Sequence, residues 1–120
     1  MDLYQQNILD YYRHPRCNQK ITEANYSAEV SNPLCGDRIE IYLQTSGDKI
    51  KQAVWQGEGC VLSLAAADML AEYLQNKSLT AIDTIDKDWI IKTLGVNPSP
   101  SRLKCALLPL EALKKSLANN

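Results

Sequence analysis

The sequence predicts an α+β fold, a three-stranded antiparallel sheet packed against several helices. Three observations predict it. Apolar and polar residues alternate in three successive segments between Tyr26 and Gln56, the two-residue period of a strand with one face toward a core. A run rich in leucine, alanine and methionine follows from Val61 to Gln75, and these are strong helix formers. Helical spacing recurs toward both ends of the chain, over residues 2–13 and 101–118. Consecutive strands pair most simply as antiparallel neighbours, which leaves one face of the sheet to be covered.

Taken in order, residues 2–13 place Tyr4, Ile8, Tyr11 and Tyr12 in an aromatic–aliphatic stripe, expected to face the core or a partner. His14-Pro15 ends this helix, because a residue before proline is pushed out of the α region. His14, the only histidine, reads as a helix-end residue. Residues 16–25 read as loop, with Cys17 an incidental free thiol. Tyr26, Ala28 and Val30 alternate with Ser27 and Glu29 as a first strand; Ile39, Ile41 and Leu43 alternate with polar neighbours as a second. Thr45-Ser46-Gly47-Asp48 is turn chemistry, and Lys49 to Gln56 returns as a third strand. The helix from Val61 to Gln75 carries Leu62, Ala66, Met69, Leu70 and Tyr73 as its apolar stripe, with Asp68, Glu72 and Gln75 as its wet face. Asn76-Lys77-Ser78 ends it. Residues 80–94 hold one or two short helices, with Asp86 a cap and Gly95 a stop. A connector, Val96 to Pro100, leads to the last helical segment, Ser101 to Ala118. Pro109 lacks the N–H that would bond the Cys105 carbonyl. Either a helix kinks there or one begins there; a proline in the first turn is the simpler reading.

At 120 residues the chain is expected to form one domain, 1–120, around one core. A net charge of −1 without a basic stretch argues against nucleic acid. No apolar run approaches the ~20 residues that span a bilayer, and the N-terminus lacks the pattern of a signal peptide. The expected location is the cytoplasm, where thiols stay reduced and four cysteines read as metal-binding or reactive before they read as disulfides.

Three of those cysteines lie in distinctive settings: Asn32-Pro33-Leu34-Cys35-Gly36-Asp37, Gly57-Glu58-Gly59-Cys60 and Arg102-Leu103-Lys104-Cys105. No C-x2-C pair forms a local metal knuckle. A fold that brought the three together would make a thiolate-rich site with the Asp37 carboxylate beside it, suited to zinc, ferrous iron or an iron–sulfur cluster. Cys60 is expected to open the long helix, where amides and dipole stabilise a thiolate. Cys105 is expected near a helix start. Arg102 and Lys104 could offset the negative charge. Asp37 would make the site weaker and harder than four thiolates, which suits cargo more than a staple.

These residues resemble the iron–sulfur cluster assembly scaffolds of the IscU, SufU and NifU N-terminal type, over nearly the whole chain. Tyr4 through Arg16, with Ile-Leu-Asp-Tyr-Tyr-Arg-His-Pro-Arg within it, looks like the family's opening helix. Asn32 through Asp37 looks like its first cysteine loop, and Gly57 through Cys60, with Ser63 following, like its second. Cys105 corresponds to its third cysteine. The resemblance implies a SufE/NifU-like fold and binding of a metal or [2Fe–2S] cluster by Cys35, Asp37, Cys60 and Cys105. It also implies sulfur delivery from a cysteine desulfurase onto one of the thiols, with transfer of the finished cluster to apo-protein acceptors.

This chain departs from the pattern in three ways. Lys104 stands where the IscU form has histidine, so Arg102-Leu103-Lys104-Cys105 resembles the SufU form; yet the 44 residues between Cys60 and Cys105 leave little room for the SufU insertion. The Leu-Pro-Pro-Val-Lys motif of IscU is absent, so recognition by the dedicated Hsp70 chaperone is not expected. The leading expectation is a non-enzymatic scaffold, with Cys105, on a mobile connector between cations, the first persulfide acceptor. The alternatives are a SufU-like zinc-dependent sulfurtransferase using the same four residues and, last, a structural zinc module.

Overall fold

The computed structural model describes residues 3–33 and 36–118, and side chains among them from Gln5 onward. Helix α1 (Leu3–Arg13) precedes strands β1 (Tyr26–Asn32), β2 (Asp37–Ser46) and β3 (Lys49–Glu58). Helix α2 (Val61–Leu74), a 3-10 segment (Leu79–Thr84), helix α3 (Lys87–Leu94) and helix α4 (Pro100–Ala118) follow. The strands form one antiparallel sheet in the order β1-β2-β3, as the alternation predicts.

Central β2 sets the register. Ile39, Ile41 and Leu43 pair with Val30, Ala28 and Tyr26 on one side and with Gly57, Trp55 and Ala53 on the other. All three β2 residues are fully buried, each contributing about 1.5–3 kcal/mol of apolar burial. The β2–β3 turn places Gly47 at φ 63, a left-handed conformation that suits glycine. Ala67, Leu70, Ala71 and Leu74 of α2 and Leu108, Ala112 and Leu113 of α4 complete the core over this face. A second cluster joins Ile8 of α1 and Leu62, Ala66 and Met69 of α2 to Ile90 and Leu94 of α3 and Ala106 of α4. The ends of α3 match the sequence: Asp86 accepts the Trp89 N–H at 2.8 Å, and Gly95 closes the helix at φ 73.

Four sequence expectations are corrected. Asp68 does not belong to a wet face. Ten of the 14 residues of α2 are buried, Asp68 among them, because Arg16 and Cys17 pack against the side that helical spacing assigns to solvent. Tyr12 and Tyr73, placed in apolar stripes by spacing, are exposed, Tyr73 even though its ring meets Trp89 of α3. Pro109 begins no helix. Helix α4 starts at Pro100 and continues through Pro109, which is buried in its interior.

Cys17 is the fourth. It is buried in the core, and its segment is not wholly irregular. The Cys17 carbonyl accepts the Trp55 N–H at 3.0 Å, and Asn18 bridges Trp55 in parallel, so the chain briefly extends the sheet beyond β3. Burial, followed by the negative charge of Asp68, pushes the thiol from 9.0 up to about 11, against a hydrogen bond from Gln75. A folded-state value above the unfolded one means stability that is complete below pH 9 and is lost as pH rises through about 11. Tyr11 and Tyr42, both pushed up to about 12 from 10.0, add their share at higher pH. Urea midpoints measured between pH 9 and 10 are therefore expected to fall less steeply in Cys17→Ala than in the parent. Parallel slopes would contradict a sealed, protonated thiol.

Candidate metal centre

The turn between β1 and β2 positions the first group. The Gly36 N–H bonds the Asn32 carbonyl at 2.8 Å with Gly36 at φ 76, and Asn32 pairs with Asp37 at the end of the ladder. The chain thus doubles back so that Asp37 opens β2 with its side chain inward, 3% exposed. One carboxylate oxygen, Oδ1, accepts the Cys60 N–H at 3.3 Å. The other, Oδ2, is buried with no hydrogen-bond partner among the described residues. Cys35 lies outside the described residues.

Cys60 sits where β3 gives way to α2. It is the N-cap, in extended conformation, and its side chain makes no cap bond. Its carbonyl takes the Leu64 N–H and the Ser63 hydroxyl, both at 3.1 Å. The thiol is half-buried at the positive end of α2, where an anion is favoured.

Cys105 lies on the second turn of α4, not on a connector as the sequence suggested, and is 8% exposed. Its thiol points to the Ser101 carbonyl at 3.8 Å. Pro109, one turn on, has no N–H to offer the Cys105 carbonyl. Arg102 and Lys104 are exposed, and among the described residues neither forms an ion pair with Asp37, so the expected counter-charges stand off from the carboxylate.

Asp37, Cys60 and Cys105 converge. One donor atom from each lies within 4.8 Å of the others, although β2, α2 and α4 supply them separately. Two sulfurs and a carboxylate oxygen suit zinc or iron. An unpartnered buried carboxylate oxygen is costly unless a cation approaches it, so the residues present fit a metal.

Residue spacing gives no hint of a second cluster, one that braces the centre. Asp68, fully buried, accepts the Cys17 N–H at 2.7 Å, the Arg16 N–H at 2.8 Å and the Trp55 indole N–H at 3.0 Å. It ties the segment after α1 and strand β3 to the helix that begins at Cys60. The legible signal was an aspartate within an alanine- and leucine-rich run, a residue rarely buried without partners.

A sheet covered by helices, with two thiols and a carboxylate gathered from three elements, defines a small α+β domain whose donor set could hold a metal. The chain belongs to the NifU-like N terminal domain family, whose model matches residues 3–120. It is 35% identical to the zinc-dependent sulfurtransferase SufU of Bacillus subtilis, over 97% of this chain and 90% of that protein. That alignment runs over 133 residues, more than the 120 of this chain, so the relative carries residues this chain lacks. The iron–sulfur cluster assembly scaffold protein IscU 1 of Archaeoglobus fulgidus is 27% identical over 98% of this chain and 76% of its own length. Among solved structures, a candidate iron–sulfur cluster assembly scaffold for the SUF system from Fervidobacterium islandicum superposes with a TM-score of 0.79. It is 28% identical, with 93% of this chain and 94% of that one covered. Among the described residues no helix is long and apolar enough to cross a membrane.

Proposed function

We infer that this chain is a scaffold for iron–sulfur cluster assembly. It accepts sulfane sulfur from a cysteine desulfurase, together with ferrous iron and electrons from an external thiol or other reductant that bring the sulfur to sulfide, assembles a labile [2Fe–2S] cluster and passes it to apo-proteins. The observation that carries this reading is the convergence of Asp37, Cys60 and Cys105 within 4.8 Å with a buried, unpartnered carboxylate oxygen. Cys35, two residues before Asp37 in the sequence, supplies the third thiolate. Thiolates suit iron–sulfur cargo, while a carboxylate is a harder, weaker donor from which that cargo can leave. Of the two described thiols of the centre, Cys60 is the more exposed and the one at a helix N-terminus. An incoming persulfide therefore meets Cys60 first, unless the second turn of α4 opens to admit it to Cys105.

A second reading, a zinc-dependent sulfurtransferase, uses the same four residues. It is favoured by the Bacillus subtilis relative and by Lys104 before the last cysteine, and opposed by the short Cys60–Cys105 interval.

Anaerobic incubation with ferrous iron, cysteine and a cysteine desulfurase, followed by visible absorption and iron and zinc analysis, separates the two. The scaffold reading expects a cluster spectrum that persists longer in Asp37→Ala. Retained zinc, no cluster and faster desulfurase turnover would establish sulfur transfer instead. Sulfur uptake that survives Cys105→Ser but not Cys60→Ser would remove Cys105 as the first acceptor.

A further inference from the structure

Gly57 and Gly59 occupy one motif, Gly57-Glu58-Gly59-Cys60, yet their surroundings separate their roles. A Cβ on Gly57 would overlap the backbone carbonyl oxygen of Arg38, with the Ile39 side chain at 3.1 Å. That oxygen belongs to β2 and cannot turn aside, so Gly57 secures the close approach of β3 to β2. The three atoms nearest a Cβ on Gly59 are all side-chain atoms. Such a Cβ would lie 2.5 Å from Ser63 Oγ, 2.8 Å from Asp37 Cγ and 2.9 Å from Asp37 Oδ1. Nor does backbone conformation demand glycine there: Gly59 is not among the glycines with positive φ. Residue 59 lacks a side chain because the Asp37 carboxylate and the Ser63 hydroxyl fill that space.

We propose that Gly59 is a positioning residue of the metal centre: the space it leaves empty holds the Asp37 carboxylate against the Cys60 N–H and aims its second oxygen at the site. Three features meet there. Asp37 Oδ1 accepts the Cys60 N–H at 3.3 Å. Ser63 is fully buried and bonds back to the Cys60 carbonyl at 3.1 Å, so its hydroxyl closes the far side of the space. Asp37 Oδ2 stays buried without a hydrogen-bond partner among the described residues. A methyl group at 59 must displace one of two side-chain ends. Ser63 is packed on α2 with no exposure, so Asp37 is the one that moves. The ligand is then present in the sequence but absent from the centre. The proposal rests on the metal-site reading of Asp37, Cys60 and Cys105.

The experiment is a double-mutant cycle with Gly59→Ala and Asp37→Ala, read by cobalt(II) absorption, by zinc affinity and, without metal, by the Cys60 amide resonance. Gly59→Ala is expected to shift the cobalt d–d bands as Asp37→Ala does, while the sulfur-to-cobalt charge-transfer intensity stays at the parent level. Zinc affinity is expected to fall about 10–100-fold, the range for groups that orient a ligand. In the Asp37→Ala background, Gly59→Ala is expected to change it less than about 2-fold, because the methyl then occupies vacated space. Gly57→Ala serves as the structural comparison, expected to lower the unfolding midpoint far more than Gly59→Ala does. Gly59→Ala with parent-like cobalt bands, or an equal affinity loss in both backgrounds, would overturn the proposal. Should the parent bind neither cobalt nor zinc, the metal-site reading fails and the Cys60 amide still decides the geometry. A Cys60 amide shift on Gly59→Ala that is larger in the parent than in the Asp37→Ala background supports displacement of the carboxylate, and an equal shift in both backgrounds refutes it.

Discussion

Asp68→Ala is expected to lower stability by about 3–5 kcal/mol, the upper range for a substitution that strands several hydrogen-bond donors. The carboxylate is fully buried and accepts the backbone N–H groups of Arg16 and Cys17 and the Trp55 indole N–H. Alanine leaves these donors in an apolar setting, at about 1–3 kcal/mol for each one that finds no water. Because the donors come from the segment after α1 and from β3, the damage spreads from α2 to both. Urea denaturation followed by tryptophan fluorescence measures it, Trp55 being a reporter inside the network. A midpoint within experimental error of the parent's would show that Asp68 is dispensable. Asp68→Asn keeps one acceptor oxygen and should fall between the two.

The second large effect concerns Cys60, where ligand and cap functions pull apart. Cys60 is the N-cap of α2 without a side-chain cap bond, and serine is among the best N-cap residues. Cys60→Ser is thus expected to retain or slightly raise the stability of the metal-free chain. Metal affinity should nevertheless drop by more than about 100-fold, since loss of a direct thiolate should exceed the 10–100-fold cost typical of groups that only orient a ligand. Competition against a chromophoric zinc chelator and thermal unfolding without metal measure the two halves. Parent-like zinc affinity in Cys60→Ser would exclude Cys60 from the centre. A simple loss of structure would show up in the unfolding curve instead.

The sheet was legible because its signal is local. Strict alternation at Ile39, Ile41 and Leu43 admits one pleated reading, and the Gly47-Asp48 turn fixes the direction of return. The ends of α3 were legible for the same reason, since Asp86 and Gly95 act within a few residues of themselves. Asp68 was misread because helical periodicity describes one helix alone, while its burial depends on Arg16 and Cys17, some 50 positions away. Cys17 was misread with it, each being the other's partner. Pro109 was misread because propensity disfavours an interior proline, and tertiary packing on both sides of α4 outweighs that penalty. Spacing alone could not unite Asp37, Cys60 and Cys105. What flagged them was the company they keep, glycines and a carboxylate, together with the family resemblance those motifs carry. Gly59 sat within a quoted motif, but its role depends on Asp37 across a strand pair.

Pro109 also falls close to where α4 changes neighbours. Ala106 packs with α1, α2 and α3, while Leu108, Ala112 and Leu113 pack over the sheet. The missing proline N–H removes a tie between the Cys105 turn and the turn that follows. The helix can therefore open in two steps, its thiol-bearing half loosening while the half on the sheet stays closed, as separate cooperative units. In the metal-free chain, amides at 103–108 are expected to exchange faster than those at 110–116, with the difference shrinking when zinc binds. Uniform protection along α4 would mean that the helix opens only as a whole. If the halves do open separately, cargo can be released by a local fluctuation at one end of α4, and the sheet that organises the rest of the chain remains folded throughout.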